Sequence, residues 1–194
     1  MNQTNNNSNE RHLFTAAFRM LNDELSKIGE TMVLTCAGGY VLQINGYRAT
    51  ADVDAFYKSN AAIDDAIQNV GDALGINKPD ELWLNNSIAN MNPEPPDEYC
   101  ETAYSFSNLV VKAVNIDYMV GMKLVSARGQ DIIDLADIFR RRDDLHPLSL
   151  LSILTGMGFE IDISVLLNAF ESARGMEWLG EYFKNNEAEL RRLY

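Results

Sequence analysis

Ala37-Gly38-Gly39 and, after twelve intervening residues, Asp52-Val53-Asp54 form the stretch on which the fold turns. Across residues 49–57, Ala51, Val53 and Ala55 fall on one face of a predicted strand. Thr50, Asp52, Asp54 and Phe56 fall on the other. Two carboxylates at i and i+2 leave the same face, roughly 6–7 Å apart at the backbone after two steps of ~3.3 Å. At that separation both reach one divalent cation, or two side by side, and hard oxygen ligands suit Mg²⁺ or Mn²⁺. The paired glycines let a phosphate approach backbone amides where no Cβ intrudes. An Asp-x-Asp alone commonly marks a polar sheet face; Arg48 and Thr50 on the same run strengthen the metal reading.

Working outward, Leu13, Ala17, Leu21 and Leu25 recur at i+4 and predict a helix to about Ile28, stopped at Gly29. The stretch Met32-Val33-Leu34-Thr35-Cys36 reads as a buried strand. Residues 40–44 fit a short helix or a strand. Ser59 can cap a helix carrying Ile63, Ile67, Val70 and Leu74, closed by Gly75. Residues 79–105, with Pro93, Pro95 and Pro96, read as a long loop with a short strand at 82–84. A β-branched run at 108–116 predicts another strand. Asp117 is the expected cap of a helix over 118–128 ended by Gly129, and a second helix follows over 131–142. After the break at His146-Pro147, two or three further helices fill 148–193, with joints at Gly156-Met157-Gly158 and Gly175. The order implies an α+β fold: a short mixed β-sheet with flanking helices and a helical C-terminal region.

Composition narrows the function. Hydrophobic residues make up 46% and charged residues 23%, the balance of a soluble folded protein. No apolar run approaches the roughly 20 residues that span a bilayer, so no membrane role is expected. The polar start lacks a signal peptide's apolar core. Two cysteines, Cys36 and Cys100, are too few for a disulfide scaffold, and reduced thiols point to a cytoplasmic protein. The net charge of −12 argues against a general nucleic-acid binder and leaves only a local basic cleft for a polyanion.

Taken with their surroundings, these motifs resemble a known family. Gly38-Gly39 followed by Arg48-Ala49-Thr50-Ala51-Asp52-Val53-Asp54 resembles the glycine-pair and Asp-x-Asp signature of the nucleotidyltransferase superfamily. Trp83-Leu84-Asn85-Asn86 resembles a Trp-Leu-Asn element of small bacterial members of uncharacterised function. Tyr118-Met119-Val120-Gly121-Met122-Lys123-Leu124-Val125-Ser126-Ala127-Arg128 resembles their lysine helix, and Gln130-Asp131-Ile132-Ile133-Asp134-Leu135 their acidic helix start. The set resembles the AbiEii/AbiGii toxin-like branch over residues 13–142.

The resemblance implies a nucleotidyltransferase-like domain over residues 12–142, a mobile tail over 1–11 and a helical region over 143–194 packed on that domain. It implies metal-dependent transfer of a nucleotidyl group from a nucleoside triphosphate, as the toxin of a toxin–antitoxin pair with an antitoxin partner. An RNA 3′ end, a protein hydroxyl and a small molecule all stand open as acceptors. On this reading Asp52 and Asp54 bind Mg²⁺ or Mn²⁺, and Gly38 and Gly39, with Arg48 and Thr50, hold the nucleotide. Lys123 meets the phosphates, and Asp131 or Asp134 orients it or assists proton transfer. The alternative is a non-catalytic nucleotide-binding or protein-interaction module that keeps the fold. Two departures stand out: many members carry Gly-Ser at the glycine pair, and the superfamily's third carboxylate is missing from 108–116, where Lys112 stands. Asp117 is the nearest replacement.

The remaining candidates have ordinary readings beside the functional ones. Lys123 on an apolar helix fits a snorkelling edge lysine as well as a phosphate ligand. Asp131 is read as a helix cap, and Asp134, one turn in, as the better functional candidate. Arg48 and Arg128 suit carboxylate or phosphate. Arg140, Arg141 and Arg142 suit a solvated helix end. His12 and His146 have no ligand-spaced neighbours, Cys36 is assigned to the core and Cys100 to a loop.

Overall fold

Met32–Cys36 and Leu109–Val114 are near-continuous apolar runs, each broken by one polar residue, and such runs take the centre of a sheet. The computed structural model describes residues 3–90 and 92–191, with side chains from residue 13 onward. Helices account for 58% of the chain beside a five-stranded mixed sheet, so the fold class is α+β. Two compact units divide the chain, Met1–Ile116 and Asp117–Tyr194; the division expected after residue 142 falls inside the second.

In the first unit β1 (Met32–Cys36), β2 (Val53–Phe56), β3 (Leu84–Asn85), β4 (Cys100–Ser105) and β5 (Leu109–Val114) are ordered β3-β2-β1-β5-β4. β1 runs parallel to β5 and antiparallel to β2, β2 is parallel to β3, and β4 is antiparallel to β5. One sheet face, with Met32, Leu34, Cys36, Val53, Ala55, Leu109 and Val111, is buried. Phe14, Phe18, Leu21 and Leu25 of α1 (Gln3–Ile28) and Ile63, Ile67 and Val70 of α3 (Ala61–Leu74) complete that core. Trp83 locks the edge. It stacks on Phe14 at 6.3 Å, its indole N–H donates to the Ile67 carbonyl at 3.0 Å, and its own carbonyl accepts from Val53 N–H at 2.7 Å.

Several boundaries differ from the sequence reading. α1 begins at Gln3 and takes in most of the stretch read as a tail; Met1, Asn2 and the side chain of His12 lie outside the described residues. The cap of α3 is Asn60, not Ser59: its side-chain oxygen accepts from Ile63 N–H at 3.0 Å, and Gly75 closes the helix at φ 65° as expected. The loop at 79–105 holds β3, two short 3-10 turns and β4. β4 was hidden because most of its residues are exposed at the sheet edge, so no apolar alternation marks it.

The second unit is helical. α4 (Ile116–Ser126) leads into it and α5 (Gly129–Arg141) follows. α6 (Pro147–Gly156), α7 (Ile163–Arg174), α8 (Met176–Asn185) and α9 (Glu187–Leu190) make four helices where two or three were expected. Asp117 lies in the first turn of α4 rather than at its cap. α4 ends at Ala127, which takes φ 50°, and Gly129 opens α5 instead of stopping α4. α5 packs on α7 with Phe139 stacked on Phe170 at 4.2 Å. Among the described residues no helix is long and apolar enough to cross a membrane.

Candidate functional site

Residues 38–44 form a helix, α2 (Gly38–Ile44), which settles the helix-or-strand alternative. Gly38 makes the turn out of β1 possible with φ 59°, a conformation that costs an L side chain about 1–2 kcal/mol. Space is as restrictive as the dihedral. A Cβ on Gly38 would stand 2.6 Å from Asp54 Oδ2. A Cβ on Gly39 would collide with Thr50 Oγ1 and lie 3.4 Å from Arg48 Nη1. The glycine pair therefore brings the first turn of α2 directly against Arg48, Thr50 and Asp54.

β2 is shorter than the 49–57 run suggested, because the backbone before Val53 is used elsewhere. Thr50 N–H donates to Gln43 Oε1 of α2 at 2.8 Å, and Thr50 Oγ1 donates to Asp52 Oδ1 at 2.9 Å. Thr50 and Asp52 thus sit in a bend pinned to α2, and Asp54 lies on β2 in register with Asn85 of β3. Val53 and Ala55 are buried while Asp52 and Asp54 are part-exposed, but the period-2 pattern expected over 49–57 holds only within β2: Ala51 is exposed, and Phe56, expected on the aspartates' face, is buried. Arg48 Nη1 donates to the Ala49 carbonyl at 3.1 Å. Gln43, fully buried, is the residue that sequence reasoning missed; its signal was a polar side chain inside the apolar run 40–44. Burial pushes the Cys36 thiol well above its usual range, and the Asp54 charge adds to this, so Cys36 is an inert core residue. Lys78 was also missed. Its ammonium lies 3.3 Å from Asp52 Oδ2 and 2.7 Å from Glu81 Oε2.

No family model, curated protein or solved structure matches this chain. The site is therefore read from its own chemistry. Its donor set is two carboxylates, Asp52 and Asp54, beside a glycine turn. Among the described residues no group of three or more His, Cys, Asp or Glu side chains is placed to hold a metal. A divalent ion at Asp52 and Asp54 would complete its shell with water and substrate oxygens, the manner in which Mg²⁺ typically binds.

Lys123, Asp131 and Asp134 form a second cluster, within the second unit. Lys123 Nζ donates to Asp131 Oδ1 at 2.7 Å and Asp134 Oδ2 at 2.8 Å, and all three residues are buried. The snorkelling alternative for Lys123 falls away: α4 is buried at every position from Tyr118 to Leu124, so the lysine has no edge to reach and takes its counter-ions inside. Asp131 is not the cap itself. It occupies the third helical position, and its Oδ2 accepts from the N–H of the cap residue Arg128 at 3.3 Å, from Arg128 Nε at 3.0 Å and from Ser126 Oγ at 2.7 Å. Burial pushes the Asp131 carboxyl up, but the Lys123 and Ser126 hydrogen bonds, the Lys123 charge and Arg128 outweigh it and hold it below the usual range. Gln130 Nε2 donates to Asp134 Oδ1 at 3.0 Å.

Lys112, which stands where the third carboxylate is missing, and Asp117, the nearest replacement, are both engaged in ion pairs. Lys112 pairs with Asp97 at 2.7 Å, and Asp117 with Arg142 at 3.2 Å. The arginine run is paired as well: Arg140 and Arg141 meet Asp137, and Arg142 also meets Asp144. His146 stacks near Trp178 and Tyr182 in the second unit, consistent with a packing role. Cys100 lies on β4 rather than in a loop.

Proposed function

We propose that this chain is a metal-dependent nucleotidyltransferase of the AbiEii/AbiGii toxin-like kind, transferring a nucleotidyl group from a nucleoside triphosphate to an acceptor. The observation that carries the reading is the contact of Gly38 with Asp54. It joins the glycine pair to the Asp-x-Asp carboxylates at one turn, as a triphosphate held together with its metal requires. Asp52 and Asp54 would supply hard oxygen ligands for Mg²⁺ or Mn²⁺, and Gly38 and Gly39 would let a phosphate approach the backbone where no Cβ intrudes. Arg48 and Thr50, packed against Gly39, orient the triphosphate. The metal's contribution is to neutralise charge shared between the attacking and leaving oxygens. In the transfer, an acceptor hydroxyl oxygen bonds to the α-phosphorus and gives up its proton to water, as the bond to the β-phosphate oxygen breaks and pyrophosphate leaves. Within the second unit, Lys123 spends two of its three N–H donors on Asp131 and Asp134, and the two aspartates hold the ammonium in place.

A second reading is a nucleotide-binding or interaction module without catalysis, and the Lys78–Asp52 ion pair favours it, since a lysine there occupies a carboxylate the metal needs. Incubation with each α-labelled nucleoside triphosphate, Mg²⁺ and cell extract tests the proposal. Label appearing in RNA, protein or a small-molecule fraction supports transfer and names the acceptor class. Nucleotide binding with no labelled fraction supports the module.

A further inference from the structure

The Lys78 ammonium holds the position where a cation at Asp52 would compete with it. It sits 3.3 Å from Asp52 Oδ2 and 2.7 Å from Glu81 Oε2, and its side chain is 45% exposed, so it is free to swing. The backbone beneath it is fixed. Lys78 N–H donates to the Glu81 carbonyl at 2.9 Å, closing the turn. The neighbouring Asn77 is stapled on three sides: Oδ1 accepts from Trp83 N–H at 3.1 Å, while Nδ2 donates to the Gln68 carbonyl at 3.1 Å and Asp72 Oδ1 at 2.8 Å. The rigid turn delivers a mobile cation to one member of the carboxylate pair. The Asp54 Oδ2 lies at Gly38, on the glycine side.

We infer that Lys78 is a tethered counter-ion of the site: it occupies Asp52 when no metal is bound, and moves onto the triphosphate when metal and nucleotide enter together. The inference rests on the proposed metal-nucleotide site. Two like charges cannot both lie against Asp52 Oδ2 without repulsion, so a divalent ion displaces the ammonium, and the incoming polyanion gives it a new partner. Glu81 keeps hold of the displaced lysine in the meantime. The hydrogen bond to Glu81, and with it the Asp52 charge, raises the Lys78 pKa, so the side chain stays cationic throughout the neutral range.

The test measures binding with the full chain, independent of turnover. Mn²⁺ is titrated alone, and the Mn²⁺–tripolyphosphate complex is titrated separately, into wild type and Lys78→Ala. Inorganic tripolyphosphate isolates the phosphate interaction from any base preference. Lys58→Ala is the control for general charge, since Lys58 is exposed and six residues along the chain from Asp52. Lys78→Ala should tighten Mn²⁺ alone by about two- to fivefold, the strength of a part-exposed ion pair, and weaken the tripolyphosphate complex by a similar factor. Lys58→Ala should change neither. Unchanged affinities in Lys78→Ala, or shifts matched by Lys58→Ala, overturn the inference while leaving the metal site standing. Wild type that binds no Mn²⁺ with or without tripolyphosphate overturns the metal site itself, and the inference with it.

Discussion

Asp54 Oδ2 lies where a side chain on Gly38 would have to begin, 2.6 Å from the position of a Cβ there. A side chain at position 38 would therefore have to displace the Asp54 carboxylate. Gly38→Ala meets two penalties at once, the φ of 59° and the collision with Asp54. Destabilisation of about 1–3 kcal/mol is expected, with loss of metal binding as Asp54 is pushed aside. Chemical denaturation and Mn²⁺ titration of the variant check both; a normally stable variant that binds metal like wild type would show that the contact carries no functional constraint.

Lys123→Met keeps the length of the side chain and removes the cation from Asp131 and Asp134. Breaking a buried pair from one side leaves uncompensated charge, so the expected loss is about 3–5 kcal/mol by denaturant unfolding. A loss under about 1 kcal/mol would mean that the cluster is solvated and that Lys123 is not structurally required.

The same cluster sets an acid limb. The Asp131 carboxyl is held below its usual value in the folded chain. Its contribution is therefore fully present above the unfolded carboxyl pKa of about 3.9, and is lost as pH falls through the lower folded value. In Lys123→Met burial acts on Asp131 with less opposition, so stability should begin to fall at a higher pH than in wild type. Melting temperature measured from pH 7 down to about pH 3 checks the order of the two curves; coincident acid limbs would contradict it.

Arg174 joins three carbonyls of the second unit, donating to Phe139 O at 3.2 Å, Arg142 O at 2.9 Å and Leu145 O at 3.0 Å. Its guanidinium also lies over Trp178, 4.7 Å from the ring centroid. Arg174→Met leaves those carbonyls without their donor and should cost about 2–4 kcal/mol, with Arg174→Lys recovering only part, since an ammonium lacks the Nε donor to Phe139 O and the planar face over Trp178. Equal stability of Lys and wild type would show that charge, not the planar guanidinium, matters there.

How far the sequence carried these conclusions depended on what each residue does. Leu13, Ala17, Leu21 and Leu25 announced α1, and the β-branched run 109–114 announced β5, because both elements bury one regular face. The strand expected over 49–57 begins only at Val53, because Thr50 N–H is taken by Gln43, a contact between separate elements that no spacing announces. Exposed β4 carried no such signal. Ala127 ended α4 although glycine was the expected residue there. The ion pairs Lys78–Asp52 and Lys123–Asp134 join residues 26 and 11 positions apart, and charges on separate elements leave no periodicity to read.

The acceptor is unknown, so the most direct test is binding rather than turnover: titration of Mn²⁺ into wild type and Asp54→Asn, each with and without a nucleoside triphosphate. Wild type should bind the ion weakly, about millimolar, when alone and clearly more tightly with nucleotide, because Mg²⁺-type ions are held jointly by one or two carboxylates and substrate phosphates. Asp54→Asn should lose both the weak site and the nucleotide-dependent gain. Equal affinity with and without nucleotide in wild type, or undiminished binding in Asp54→Asn, would contradict a shared metal–triphosphate site at Asp52, Asp54 and the glycine turn.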